Sequence, residues 1–134
     1  MRFRRIIVLL AAACTSSGPS GPWTQTFEPP GDVEDVIDAV SALPECPQIA
    51  TLGGVIEWMP FDFTCAAKPR ATGCSFPDED PPRIEVVSGR SAWDTSLAHE
   101  LCHICGYTGG PDRGETEAEA CALRARRARP PTGG

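Results

Sequence analysis

The chain has 134 residues, with 18 acidic residues against 12 basic ones and a formal net charge of −6. That length supports one domain with a modest core, and the acidity argues against nucleic acid or anionic lipid as a partner. Seven cysteines in so short a chain point to an oxidising compartment, where thiols pair.

Arg2, Arg4 and Arg5 precede an apolar run from Ile6 to Ala13, which is too short to span a bilayer as a helix. Residues 1–13 therefore read as a removable signal. The segment Leu10-Ala11-Ala12-Ala13-Cys14 resembles a bacterial lipobox, with Ala11 where leucine usually stands. That resemblance implies lipidation of Cys14 and a lipoprotein anchored to a membrane of the bacterial cell envelope, periplasmic or on the outer surface. A secreted protein is the alternative. Without residues 1–13, nine basic residues face 18 acidic ones, a charge of about −9. Cys46, Cys65, Cys74, Cys102, Cys105 and Cys121 then remain for up to three disulfides, in any of fifteen connectivities.

Residues 14–30 are rich in Ser, Thr, Gly and Pro and read as a lipidated cysteine followed by a flexible tether. The domain is expected over 31–130, with 131–134 a flexible tail. Asp32 can cap a helix in which Val33, Val36, Ile37, Val40 and Leu43 form one apolar stripe, ending before Pro44. From Cys46 to Pro82, Gly and Pro break the chain, leaving short strand candidates at 55–59, 61–65 and 72–76. Asp78, Glu79 and Asp80 lack EF-hand spacing and read as an exposed turn. Arg83 to Val87, with β-branched alternation, is the clearest strand. Ser91 and Asp94 can form a capping box for a helix ending at Gly106. A second helix opens between Asp112 and Thr116 and runs to Arg129 before Pro130-Pro131. Its acidic start and the arginines at 124, 126, 127 and 129 complement the helix dipole. No internal repeat is present.

The first of these late helices carries the chemistry. His99-Glu100-Leu101-Cys102-His103 puts the chain's two histidines four residues apart, so one helical turn aligns both imidazoles. With two histidines in the chain, chance gives this spacing with a following Glu in on the order of one case in a thousand. Two neutral imidazoles can bind a divalent metal, and Glu100 can reach a water on that metal and take its proton. Two histidines alone hold zinc weakly, and no third exists. Asp112, Glu115, Glu117 and Glu119 are the carboxylates available to complete the site. A thiolate site using Cys102 and Cys105 is the competing metal arrangement.

The HExxH motif is that of zinc peptidases. His99 to Gly106 matches the opening of the metzincin pattern HExxHxxGxxH, but Gly109 stands where its last histidine belongs. The chain more closely resembles small gluzincins, in which a second helix supplies a glutamate ligand, and Glu117-Ala118-Glu119-Ala120-Cys121 is similar to that motif. The resemblance covers about 40 residues and implies an α+β zincin-like domain with a short twisted sheet, an active-site helix and a ligand helix. It implies one Zn2+ held by His99, His103 and Glu117, with Glu119 in reserve and Glu100 as general base. Thr116 as N-cap would engage Glu119 and free Glu117 for the metal.

In family members the position of Cys102 often carries a small residue where the ligand helix approaches. Cys121 lies one turn beyond Glu117, so a Cys102–Cys121 bridge is expected to clamp the two helices, followed by Cys74–Cys105 and Cys46–Cys65. Arg83 to Val87 is expected as the rim strand that binds an extended peptide by strand addition. Tyr107 is a candidate oxyanion donor, although packing is the favoured role. The function these features imply is hydrolysis of peptide bonds at the cell envelope. The alternative is a lipid-anchored, disulfide-rich binding or scaffold protein with a structural or decayed zinc site. The oligomeric state is left open.

Overall fold

The computed structural model describes residues 23–107 and 111–128. The signal segment, Cys14 and the 131–134 tail lie outside the described residues.

The fold is α+β. Among the described residues six strands and four helices follow the order β1 (Trp23–Thr26), α1 (Val33–Ser41), α2 (Ile49–Leu52), β2 (Gly54–Met59), β3 (Phe63–Cys65), β4 (Lys68–Ala71), β5 (Gly73–Phe76), β6 (Arg83–Val87), α3 (Trp93–Ile104) and α4 (Pro111–Ala128). The main sheet has the order β1-β2-β6-β5. The first three strands are parallel and β5 is antiparallel to β6. Two expectations change here. Arg83–Val87 is an interior strand, and β5 holds the edge, because the turn at 77–82 reverses the chain onto the outer side of β6. Residues 23–26, expected within the tether, also form a strand of the sheet. Trp23 is 5% exposed and donates from its indole to the Ile49 carbonyl at 2.8 Å. One large aromatic and parallel pairing of Trp23 with Gly54 therefore draw this tract into the sheet. Gly54 is needed at that contact, since a Cβ there would come within 2.5 Å of the Pro82 carbonyl and 2.7 Å of the Trp23 ring.

Alternation along β2 and β6 sends Ile56, Trp58, Ile84 and Val86 into the core. The helices meet them there. α1 buries Val33, Val36, Ile37 and Val40, and its cap is as expected, with the Asp32 carboxylate accepting from the Asp35 amide at 3.2 Å. α3 contributes Leu97, Ala98 and Leu101, while α4 contributes Ala118, Cys121, Ala122 and Ala125. The other sheet face is polar. Arg83 pairs with Glu57, Glu79 and Glu85 at 3.0, 2.9 and 2.6 Å and stacks over Phe76.

Three disulfides tie this frame: Cys46–Cys105, Cys65–Cys74 and Cys102–Cys121. The last is the expected clamp between α3 and α4. The expected Cys74–Cys105 and Cys46–Cys65 pairs are not formed. The β3–β4 hairpin doubles back and brings Cys65 to Cys74, and the turn after α1 carries Cys46 to the end of α3. Among the described residues no helix is long and apolar enough to cross a membrane.

Candidate metal centre

α3 begins without the expected capping box. Ala92 occupies the cap position with no side-chain bond, and the Asp94 carboxylate instead accepts from the neighbouring Thr95 amide at 2.8 Å. Packing of Leu97 and Leu101 against the sheet, rather than a cap, fixes the rotation of this helix. That rotation turns His99, Glu100 and His103 toward a cleft of about 460 Å³ between α3, α4, β5 and the β3–β4 hairpin.

His99, His103 and Glu115 converge in that cleft. Glu115 Oε1 lies 3.0 Å from His99 Nε2, and Oε2 lies 3.1 Å from His103 Nε2. The two Nε2 atoms are 3.2 Å apart. Tetrahedral zinc with bonds of about 2.0–2.1 Å spaces its ligand atoms by about 3.3 Å, so the three atoms fit one face of such a coordination sphere. The proton assignment agrees. His103 Nδ1 donates to the Tyr107 carbonyl at 2.7 Å, and a carbonyl only accepts. When the ring is neutral, its other nitrogen, Nε2, presents a lone pair directed at a carboxylate and a second imidazole. Converging acceptors call for a cation. Burial holds His99 below its usual pKa against the opposing pull of the Glu115 carboxylate. Burial also works against ionised Glu115, but the two imidazoles outweigh it and keep its pKa low.

Glu115 stands where the sequence reading put Glu117. At 3.6 residues per turn the two lie about 200° apart on α4, and the buried stripe Gly114-Ala118-Cys121-Ala122-Ala125 runs between them. Glu115 and Glu119 share the cleft flank, whereas Glu117 is exposed and outside the cleft lining. Thr116 is interior to α4, which begins at Pro111, so it does not stand at the N-cap. The stripe identifies the buried face and does not say which flank meets α3.

Glu100 lies beside the triad and is 7% exposed. Burial pushes its pKa up to about 8, and the Glu115 carboxylate adds to the rise; a hydrogen bond with Ser75 and the charge of Lys68 act in the opposite direction. Its carboxylate rests against β5 at Gly73, where an added Cβ would fall 2.6 Å from Oε2. Tyr107 acts differently from the oxyanion role considered for it. Its carbonyl orients His103, while its hydroxyl donates to Glu45 at 2.9 Å, and Arg124 pairs with the same Glu45 oxygen. Lys68, Arg70 and Ser75 also line the cleft. No motif in the sequence marks them.

Cys46, Cys102 and Cys121 form a second close group of ligand-type atoms. All three are in disulfides, so no thiolate is available there for metal. No protein-family model, curated protein or solved structure matches the chain.

Proposed function

We propose that the chain is a zinc-dependent peptidase of zincin type, with His99, His103 and Glu115 as the metal ligands and Glu100 as general base. The observation that carries this reading is the convergence of three acceptor atoms within 4.8 Å of one another, next to a buried carboxylate and open to a cleft. A structural zinc site is closed by four protein ligands, whereas a catalytic one keeps a position free. Three ligands facing a cleft support the catalytic reading.

When bound, zinc supplies a Lewis acid that polarises the scissile carbonyl and acidifies water. Glu100 takes the proton of the attacking water and hands it to the leaving amine. Beside a divalent cation its pKa falls below the metal-free value of about 8, so that it is ionised at neutral pH. Tyr107 keeps His103 in the tautomer that offers Nε2 to the metal. β5 is the sheet edge next to the cleft and offers unpaired backbone groups to an extended peptide. Three disulfides support an oxidising compartment, and the lipid anchor at Cys14 extends the proposal to a membrane surface in the cell envelope.

The test combines zinc content by elemental mass spectrometry with hydrolysis of a peptide library. The expected result is one zinc per chain, hydrolysis by the native protein, and an inactive Glu100→Gln variant that keeps its zinc. A scaffold with structural zinc would instead hold the metal and cleave nothing in either form.

A further inference from the structure

Resting on that reading, we propose that Lys68 and Arg70 form an anion-recognition subsite beside the metal centre, and that the peptide substrate carries a carboxylate that docks there. Lys68 is the chain's only lysine. It lines the cleft with Arg70, both from β4, while Glu115 and Glu119 line it from α4. The cleft is thus basic at the hairpin and acidic at α4, which gives an extended peptide a preferred direction.

The backbone of β4 is shaped around these two side chains. Phe63 pairs with Ala71 and Cys65 with Lys68, so β4 has one residue more than β3 across the same interval. Such a register shift is an irregularity of the β-bulge kind, which re-aims side chains and is common next to active sites. Arg70 lies in the bulged interval with φ of 57°, a left-handed conformation that glycine adopts freely and arginine only at a cost. An arginine at that position ties the residue to its side chain. The Cys65–Cys74 disulfide fastens the hairpin to β5 and so fixes both cations relative to the metal ligands.

The charge pattern agrees. Elsewhere Arg83 and Arg124 are taken up by carboxylates. Among the described residues the side chains of Lys68 and Arg70 have neither ion pair nor hydrogen bond, although the chain is acidic overall; Lys68 acts only through space on Glu100. Two adjacent unpaired cations in a peptide cleft suit a carboxylate, supplied by an Asp or Glu side chain or by a free C-terminus.

The test uses zinc-loaded full-length Glu100→Gln chain and calorimetric binding of blocked alanine peptides. One arm compares Asp or Glu with Asn or Gln at each position, and the other compares C-terminal acid with C-terminal amide. Peptides with the docking carboxylate should bind about tenfold more tightly than their neutral isosteres. Preference in the first arm means side-chain specificity; in the second it means exopeptidase action. Adding Lys68→Met or Arg70→Gly should remove most of the preference with zinc content unchanged, and glycine at 70 accepts the same backbone conformation, so the hairpin is kept. Equal binding of acids and isosteres, no binding by either, or a preference that survives both substitutions would overturn the subsite. Failure of the peptidase reading is seen separately, as absence of zinc or of hydrolysis by the native chain.

Discussion

His103 donates from Nδ1 to the backbone carbonyl of Tyr107 at 2.7 Å, and this bond decides what the other side of the imidazole can do. In the neutral ring the one proton is committed to the carbonyl, and Nε2 is left to face Glu115 as a lone pair. Tyr107 is held in turn through its amide, which donates to the Cys102 carbonyl, and through its hydroxyl on Glu45. The imidazole that faces Glu115 is thereby oriented by backbone just past its own helix. Tyr107→Phe should keep this carbonyl and full zinc content, while costing about 1 kcal/mol of stability through the lost bond to Glu45. Chemical denaturation and elemental analysis on the same sample check both parts.

Glu115 and Glu117 give the sharpest contrast in metal binding. Glu115→Ala should lower zinc affinity by about two orders of magnitude or more, because two imidazoles then hold the ion alone. Glu117→Ala, on the opposite flank of α4, should leave affinity within about threefold. Competition titration against a chelator of known strength measures both.

Glu100 makes the metal-free protein sensitive to pH. Its folded pKa of about 8 lies above the ordinary 4.5, so its contribution to stability is complete below pH 4.5 and is lost as pH rises through 8. His99 has the opposite sense. Its lowered pKa costs stability as pH falls below 6.5 and contributes nothing above it. Between pH 6.5 and 8 the metal-free native chain should therefore lose stability, and Glu100→Gln should show little slope. Denaturant unfolding with chelator present reads this directly, and added zinc should flatten the native profile.

Gly73 provides a steric test of the general base. An alanine Cβ would stand 2.6 Å from Glu100 Oε2 and 2.9 Å from its Cγ, so Gly73→Ala must displace that carboxylate. Zinc content should be retained while kcat falls by about a hundredfold, since small errors in placing a proton acceptor are costly.

The two disulfides at α3 should separate by function. Cys46–Cys105 closes a loop with sequence separation 59, and replacing both cysteines with alanine should cost about 4 kcal/mol by the chain-entropy relation. Cys102–Cys121 joins the helices that carry the proposed ligands, and its removal should weaken zinc binding as well as stability. Metal retention by the Cys102→Ala, Cys121→Ala pair at full affinity would show that packing alone positions α4.

Local pattern made much of this architecture legible. The stripe Val33-Val36-Ile37-Val40 specifies α1, the Asp32 carboxylate caps it, and alternation identifies β6. His99, Glu100 and His103 are brought to one cleft because four residues nearly equal one helical turn, a relation independent of everything else in the chain. Where a feature depends on contacts distant in sequence, pattern failed. β1 is four residues whose evidence is Trp23 packing beside Gly54, 31 positions away. β5 became the edge strand by the way the chain reverses before β6, and Cys46 met Cys105 by the docking of the α1 turn on α3. The choice of Glu115 over Glu117 is of the same kind, since both flank one buried stripe and only the side on which α4 meets α3 distinguishes them. The sequence by itself determined the three longer helices, the clearest strand and the two histidines around Glu100, because these follow from periodicity within a single element. Tertiary structure alone decided the third carboxylate, the two disulfides other than Cys102–Cys121 and the cations of the cleft, because those depend on how separate elements are rotated and docked.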